Sequence, residues 1–355
     1  MKNYLVLSNY QRNRLENVTE KYKQMHNDPA NGEPKFIINT PTVLPDWEER
    51  LSDPLVMLKA NLDALQPHLD IEDDRMATVR VDFGTAQVAA AFGCDLVIPA
   101  NNLPAAANHV LENIEDVFQL KKPSLDAGWY GKLKEWTEVY LQNLPEGVHI
   151  QHPDIQSCFN SAHLIRGNDI LLDFYDKPKE MGVLLDLVTE YMTELTLYLK
   201  TMISSDKEWF YDWGALWKGS ARISNCSMHM ISPDFYTEHI LQRDLHLLRT
   251  IGGGRVHYCG TSGRVIQEFF KNPEVSGLDF DGNHHDIWEL SKQVPEKAVL
   301  LQWMDPVENQ YKVVDRLLAG DWPEKKNIIF QFNADSVQEG KKLLADLKSS
   351  YGKSI

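Results

Sequence analysis

"GGRVHYCGTSGRVIQEFFKNPEVSGLDFDG", residues 253–282, holds a β-rich run, a glycine-bearing turn, a helical run and a second β-rich run. The same unit recurs outward in both directions. Upstream, "ARISNCSMHM" (221–230) leads into "SPDFYTEHILQRDLHLLRTIGGG", where Ser232 suits an N-cap, Pro233 the first helical turn, and Gly252 to Gly254 the stop. Downstream come the helical "DIWELSKQV", the strand "AVLLQWMD", a helix near "VENQYKVVDRLLAG", the strand "NIIFQFN" and the helix "SVQEGKKLLADLKSS". Strands alternating with helices of 10 to 15 residues imply βα units and a parallel sheet.

The first half is less regular. Three further strands are read at residues 34–41, 77–84 and 147–154, and the longest helix in the run 172–202, with Asp176 as N-cap and Pro178 in its first turn. Three strands before and five after make eight, and no GxGxxG follows the first. That combination points to an α/β protein of the (β/α)8 TIM-barrel class, with an open α/β sheet as the alternative. Residues 93–120 then become loops or extra helices at the barrel mouth. No repeat or linker divides the chain, so residues 1–355 read as one domain with an irregular N-terminal extension over about residues 1–33.

The composition is that of a folded protein, with 43% hydrophobic and 25% charged residues. A net charge of −15 argues against nucleic acid or an anionic membrane as partner, because both reward clustered Lys and Arg, and it disfavours a strongly anionic substrate. The first residues lack the apolar core of a signal peptide, no run is long enough for a membrane span, and four dispersed cysteines suit a reducing compartment. A cytoplasmic location is the expectation.

In a barrel of this class the site lies at the C-terminal ends of the strands. Those ends carry Asp82, His152, Asn225, His257, Cys259, Asp281, Trp303, Asp305, Gln331 and Asn333, polar where core strands should be apolar. His257 and Cys259 stand two apart on one strand, so their side chains leave the same face with Cα atoms about 6–7 Å apart. An imidazole and a thiolate so placed can meet one zinc ion, although a buried hydrogen-bonded histidine beside a small apolar cysteine satisfies the same spacing. Gly260 and Gly263 would let a ligand approach the backbone. Asp82, Asp281 and Asp305 are candidate catalytic carboxylates; Asn225, His152, Trp303, Gln331 and Asn333 are candidate substrate contacts. The nine tryptophans suggest carbohydrate, but a barrel glycosidase places a carboxylate after the asparagine of the fourth strand, and here Cys226 follows Asn225.

The stretches "LSDPLVMLKANLDAL", "RVDFGTAQVAAAFGCDL", "HLIRGNDILLDFYDKPKEMGVLLDLVTEY", "ISPDFYTEHILQRDLHLL", "RVHYCGTSGRVIQEF" and "GLDFDGNHHDIWELSKQVPEKAVLLQWMDP" resemble the uroporphyrinogen decarboxylase superfamily from about residue 50 onward. True decarboxylases of that superfamily carry an arginine-rich segment after the first strand. Here "FIINTPTVLPDWEER" has no arginine before Arg50. The zinc-dependent methyltransferase branch carries His-x-Cys-Gly on the fifth strand, which "HYCG" matches at His257 and Cys259. The resemblance therefore implies methyl transfer between a corrinoid, carried by a partner protein, and a small acceptor at a zinc site. That branch draws its third ligand from a cysteine on the eighth strand, where this chain offers Gln331 and Asn333; amides are poor zinc ligands. Cys226 or Asp281 is the replacement that position allows. The competing expectations are a metal-independent decarboxylase or lyase acting on a non-porphyrin molecule and a non-catalytic corrinoid- or ligand-binding barrel; homo-oligomerisation is compatible with each.

Overall fold

The computed structural model describes residues 4–354. Eight parallel strands form the barrel: β1 (Lys35–Asn39), β2 (Thr78–Val79), β3 (His149–Ile150), β4 (Ala221–Ser224), β5 (Gly254–Tyr258), β6 (Val275–Asp281), β7 (Val299–Trp303) and β8 (Ile328–Asn333). All eight match the runs read from the sequence, β5 and β6 each starting one residue earlier. Strands β4 to β8 and β1 are continuously paired in the order β1-β8-β7-β6-β5-β4, so the last strand closes onto the first with Ile37 opposite Gln331 and Asn39 opposite Asn333.

The remaining quarter closes by shorter means. Strand β2 pairs with β3 through Thr78–His149 and Val79–Ile150. The chain after β3 bridges to β4 through Gln156 and Ser224, with the Ser157 amide donating to the Ser224 carbonyl at 2.8 Å. Between β1 and β2 two carboxylates complete the ladder: the Phe36 amide donates to Asp74 Oδ2 at 2.9 Å and the Ile38 amide to Asp73 Oδ2 at 2.7 Å. Helices pack outside, including the 26-residue Pro178–Ile203, whose buried Leu184, Leu185, Val188, Met192, Leu195 and Leu199 recur at helical spacing. Its N-cap is Lys177 rather than Asp176, which ends the preceding helix Ile170–Asp176. Ser232 caps its helix as read, accepting from the Phe235 amide at 3.1 Å, but the helical run breaks at Ile240 and resumes over Leu241–Ile251 before Gly252.

Two features below the barrel were not legible. The N-terminal segment is not irregular: Asn9–Asn27 is a 19-residue helix opened by a reciprocal Ser8–Gln11 capping box. Above it, an antiparallel hairpin (Trp209–Asp212 with Ala215–Lys218) is inserted into the base of the barrel. Its Trp209, Phe210, Leu216 and Trp217 pack with Val18, Tyr22 and Met25 of the helix and with the inward-facing Ile37, Val299, Leu301 and Ile329. Gly277 leaves the room this needs, since a Cβ there would lie 2.5 Å from the Trp217 ring and 2.6 Å from the Val299 carbonyl oxygen. The hairpin thus packs onto the lowest inward-facing side chains of the barrel.

At the hairpin tip Trp213 and Gly214 have φ of +48° and +69°. Positive φ at both central residues is the signature of a type I′ turn, which favours Asn-Gly. A tryptophan there is strained by about 1–2 kcal/mol relative to glycine.

Candidate metal centre and active-site cavity

Alternation along β4, β5 and β6 sends three stacked polar layers inward. The lowest comprises Arg222 beside Arg255 and the next Ser224 beside His257 with Asp279, while Cys226 and Cys259 follow just past the strand ends. Cys226 Sγ, a His257 ring nitrogen and Cys259 Sγ all lie within 4.8 Å of one another, and all three residues are part-exposed at the mouth. The sequence reading thus placed His257 and Cys259 correctly on one face, and of its two candidates for a third donor Cys226 joins them. Asp281 does not: its Oδ1 accepts from the Asn283 amide (2.9 Å), Asn283 Nδ2 (3.0 Å) and the Asp305 amide (3.3 Å), which ties down the loop after β6.

The donor set suits zinc. A tetrahedral ion with Zn–S near 2.3 Å and Zn–N near 2.0 Å holds its ligand atoms roughly 3.5–4 Å apart, a modest contraction of the observed cluster. His257 Nδ1 donates to Asp279 Oδ2 at 2.5 Å, which fixes the ring and directs Nε2 away from the carboxylate toward the thiols. Three protein donors leave a fourth position open. The neighbouring Cys226 and then His257 hold the Cys259 thiol down to about 4 against the opposing effect of burial. Cys226 is pushed upward by Cys259 and by burial. Burial lowers His257, so its ring is neutral and has a lone pair to give.

Beneath the cluster lies a charge network that the sequence reading missed. Asp212, at the hairpin tip, is clamped by Arg255, by Arg222 at 3.6 Å and by Arg80 at 3.7 Å. Arg255 also meets Asp279, Arg222 meets Asp154, and Arg80 meets Asp82. Burial opposes ionisation of Asp154, yet Arg222 and Arg80 together hold it down to about 2. Charged side chains at inward positions, Arg222 on β4, Arg255 on β5 and Arg80 just past β2, were the available signal, because a buried arginine requires a partner.

Near the cluster a cavity of about 280 Å³ opens between the segments flanking β2, the helix before it and β8, lined among others by Arg50, Arg75, Arg80, Asp82, Trp213 and Gln331. Asp82 and Gln331 therefore sit where the strand-end reading put them. Arg80 is paired, but Arg50 stacks on Trp47 with its carbon 3.6 Å from the ring centroid, and Arg75 has a buried Nε with no hydrogen-bond partner. Neither has a carboxylate in ion-pair contact among the described residues. Trp213 stands between this cavity and the thiol–imidazole cluster, its ring 5.4 Å from that of His257 and 5.9 Å from that of Trp303. Trp303 stacks near His257 and donates to Asp279 Oδ2 at 3.2 Å.

The other candidates are elsewhere. Asn225 is fully buried and donates to Asp244 Oδ2 at 3.1 Å, so it braces the backbone next to Cys226 instead of lining the cleft. His152 is buried against the long helix, its Nδ1 facing the Pro153 carbonyl, and burial lowers it to about 4. Asp305 is exposed at a second cavity of about 420 Å³ between the loops after β6 and β7. Asn333 sits at the rim, its amide donating to Gln310 at 2.8 Å. Gly260 accommodates the protein's own Tyr258 ring, which a Cβ would strike, and no ligand need be invoked for it.

Fold and site together define a TIM barrel with a thiol–imidazole centre at its strand ends. No protein-family model matches the sequence. Over 241 residues, 64% of the chain, it is 27% identical to the methylcobamide:CoM methyltransferase MtbA of Methanosarcina acetivorans. The match covers 64% of that relative, just under two thirds of its length. The structure superposes on a methyltransferase from Methanosarcina mazei with a TM-score of 0.69 and 15% identity, covering 96% of this chain and 99% of the other, a likeness of fold. No helix among the described residues is long and apolar enough to cross a membrane.

Proposed function

We propose that the chain is a methyltransferase of the uroporphyrinogen decarboxylase-like superfamily that moves a methyl group between a corrinoid on a partner protein and a small acceptor thiol bearing an anionic group. The observation that carries this reading is the meeting of Cys226, His257 and Cys259 near a cavity with two unpaired guanidiniums. The likeness to the methylcobamide:CoM methyltransferase supports it. Cys226, His257 and Cys259 would hold zinc, which when bound keeps an acceptor thiol deprotonated at neutral pH.

The protein's own groups do the rest. Asp279 holds the His257 tautomer and ring plane, and Arg255, paired with both Asp212 and Asp279, keeps that carboxylate in place. Arg50 and Arg75 offer the anionic end of the acceptor two charge-assisted contacts that no side chain of the protein competes for. Trp213 and Trp303 exclude water from one side of the centre.

Metal analysis of protein purified without chelators tests the reading, together with transfer from methylcobalamin to 3-mercaptopropionate. One zinc per chain that is lost in His257→Ala, with transfer lost in parallel, is the expected result. Absence of metal from both proteins, or turnover unchanged after chelation, overturns it and favours a metal-independent lyase.

A further inference from the structure

Trp213 combines three properties that packing alone does not require. It occupies a left-handed position (φ +48°) in a turn where asparagine or glycine would be unstrained. Of the hairpin's other large rings, Trp209, Phe210 and Trp217 are buried in the barrel base and Tyr211 is part-buried against His149, whereas Trp213 is half-buried beside His257 and Trp303. Its indole N–H donates to no group among the described residues, unlike those of Trp217, which reaches the Asp212 carbonyl at 3.0 Å, and Trp303.

The ring is also held from two sides. Asp212 on one flank is fixed by Arg80, Arg222 and Arg255, and on the other flank the Gly214 carbonyl accepts from the Met76 amide at 2.7 Å. Arg222 and Arg255 lie against its faces, their guanidinium carbons 5.5 and 5.6 Å from the ring centroid. Trp213 is therefore a fixed wall, standing between the cavity of Arg50 and Arg75 and the centre of His257 and the two cysteines.

We infer that Trp213 is a specificity-determining residue: the clamped ring at the hairpin tip sets how long an acceptor spans from the arginine-lined cavity to the thiol–imidazole centre. The inference rests on the function proposed above. An acceptor anchored by its anionic end at Arg50 and Arg75 must pass the ring edge, so chains beyond the fitting length are excluded sterically. A small residue at the tip admits them.

The test is a series of ω-mercaptocarboxylates, from mercaptoacetate to 6-mercaptohexanoate, titrated calorimetrically into metal-loaded wild-type, Trp213→Asn and Trp213→Phe proteins. Methyl transfer from methylcobalamin is measured alongside. Asparagine suits the turn, so that variant is expected to fold and keep its metal while its long-to-short preference rises about tenfold or more, chiefly through Kd and KM. Phenylalanine, a smaller ring, should fall between the two, and it carries the test should the asparagine variant not fold. Unchanged length preference in a folded, metal-bearing variant overturns the inference. Binding of the acids without methyl transfer overturns the proposed function alone, and failure of the wild type to bind any of them overturns both.

Discussion

The contact between His257 and Asp279 has the most direct functional consequence of any pair of side chains here. An imidazole whose Nδ1 is taken by a carboxylate is a better and better-aimed ligand at Nε2. Asp279→Asn is expected to weaken metal binding about 10- to 100-fold, read by competition with a chromophoric chelator, while His257 itself remains. The thiols give a second test. In metal-free protein Cys259 sits far below the ordinary thiol range because Cys226 and then His257 hold it there. Iodoacetamide should therefore alkylate Cys259 readily at pH 6, and in Cys226→Ala the pH midpoint of its alkylation, followed by mass spectrometry, should move up toward about 8.5. A midpoint that does not rise would show that Cys226 does not hold it down. His257 and Cys259 were legible because both ride one strand at a period of two. Most of their partners were not: Asp279, Arg222, Arg80, Asp154 and Asp212 come from other strands, the segments just past them and a hairpin tip, and only Arg255 shares the strand, two residues before His257.

Among the secondary-structure elements, the eight strands were legible from their alternation with helices, even though β2 and β3 have only two paired residues each. The hairpin over Trp209–Lys218 was not. Both of its faces are covered, one by the barrel and one by the N-terminal helix, so "WFYDWGALWK" lacks the polar alternation that marks a half-buried strand. The chain's nine tryptophans suggest carbohydrate, but two of them, Trp209 and Trp217, fill the barrel base. The helix beneath it did carry a signal, a serine followed three residues on by a glutamine, but its largely polar surface obscured the buried stripe of Leu15, Val18, Tyr22 and Met25. Because the hairpin is both plug and floor, disturbing its seat should reach the site. Gly277→Ala forces a Cβ against Trp217, which is expected to cost about 1–3 kcal/mol in urea unfolding and to weaken metal binding as Asp212 and Trp213 shift. Loss of stability with metal affinity intact would show that floor and centre are independent.

For the whole molecule, the charge of −15 disfavours an anionic substrate, whereas the arginines around the cavity set a local field of the opposite sign. Acid stability is where the entire chain answers together. Burial holds His26, packed edge-on against Trp209 and Trp217, down to about 3, and His152 down to about 4. Both are neutral in the fold, whereas in the unfolded chain they take up protons below about 6.5. The stability they lend is therefore complete above pH 6.5 and drains away as the pH falls from there toward 4 and then 3, by about 3–5 kcal/mol each. Asp244 runs the other way. Burial raises it to about 6 despite hydrogen bonds from Tyr236 and Asn225, so its protonated form is favoured in the fold. Its contribution is whole below the unfolded value near 3.8 and is lost as the pH rises through 6. Two histidines against one carboxylate predict a net fall in urea-unfolding stability between pH 6.5 and 4. Asp244→Asn removes the opposing slope and should steepen that fall, whereas His152→Gln should make it shallower; a wild-type profile flat across this window would contradict the buried, neutral state of both histidines.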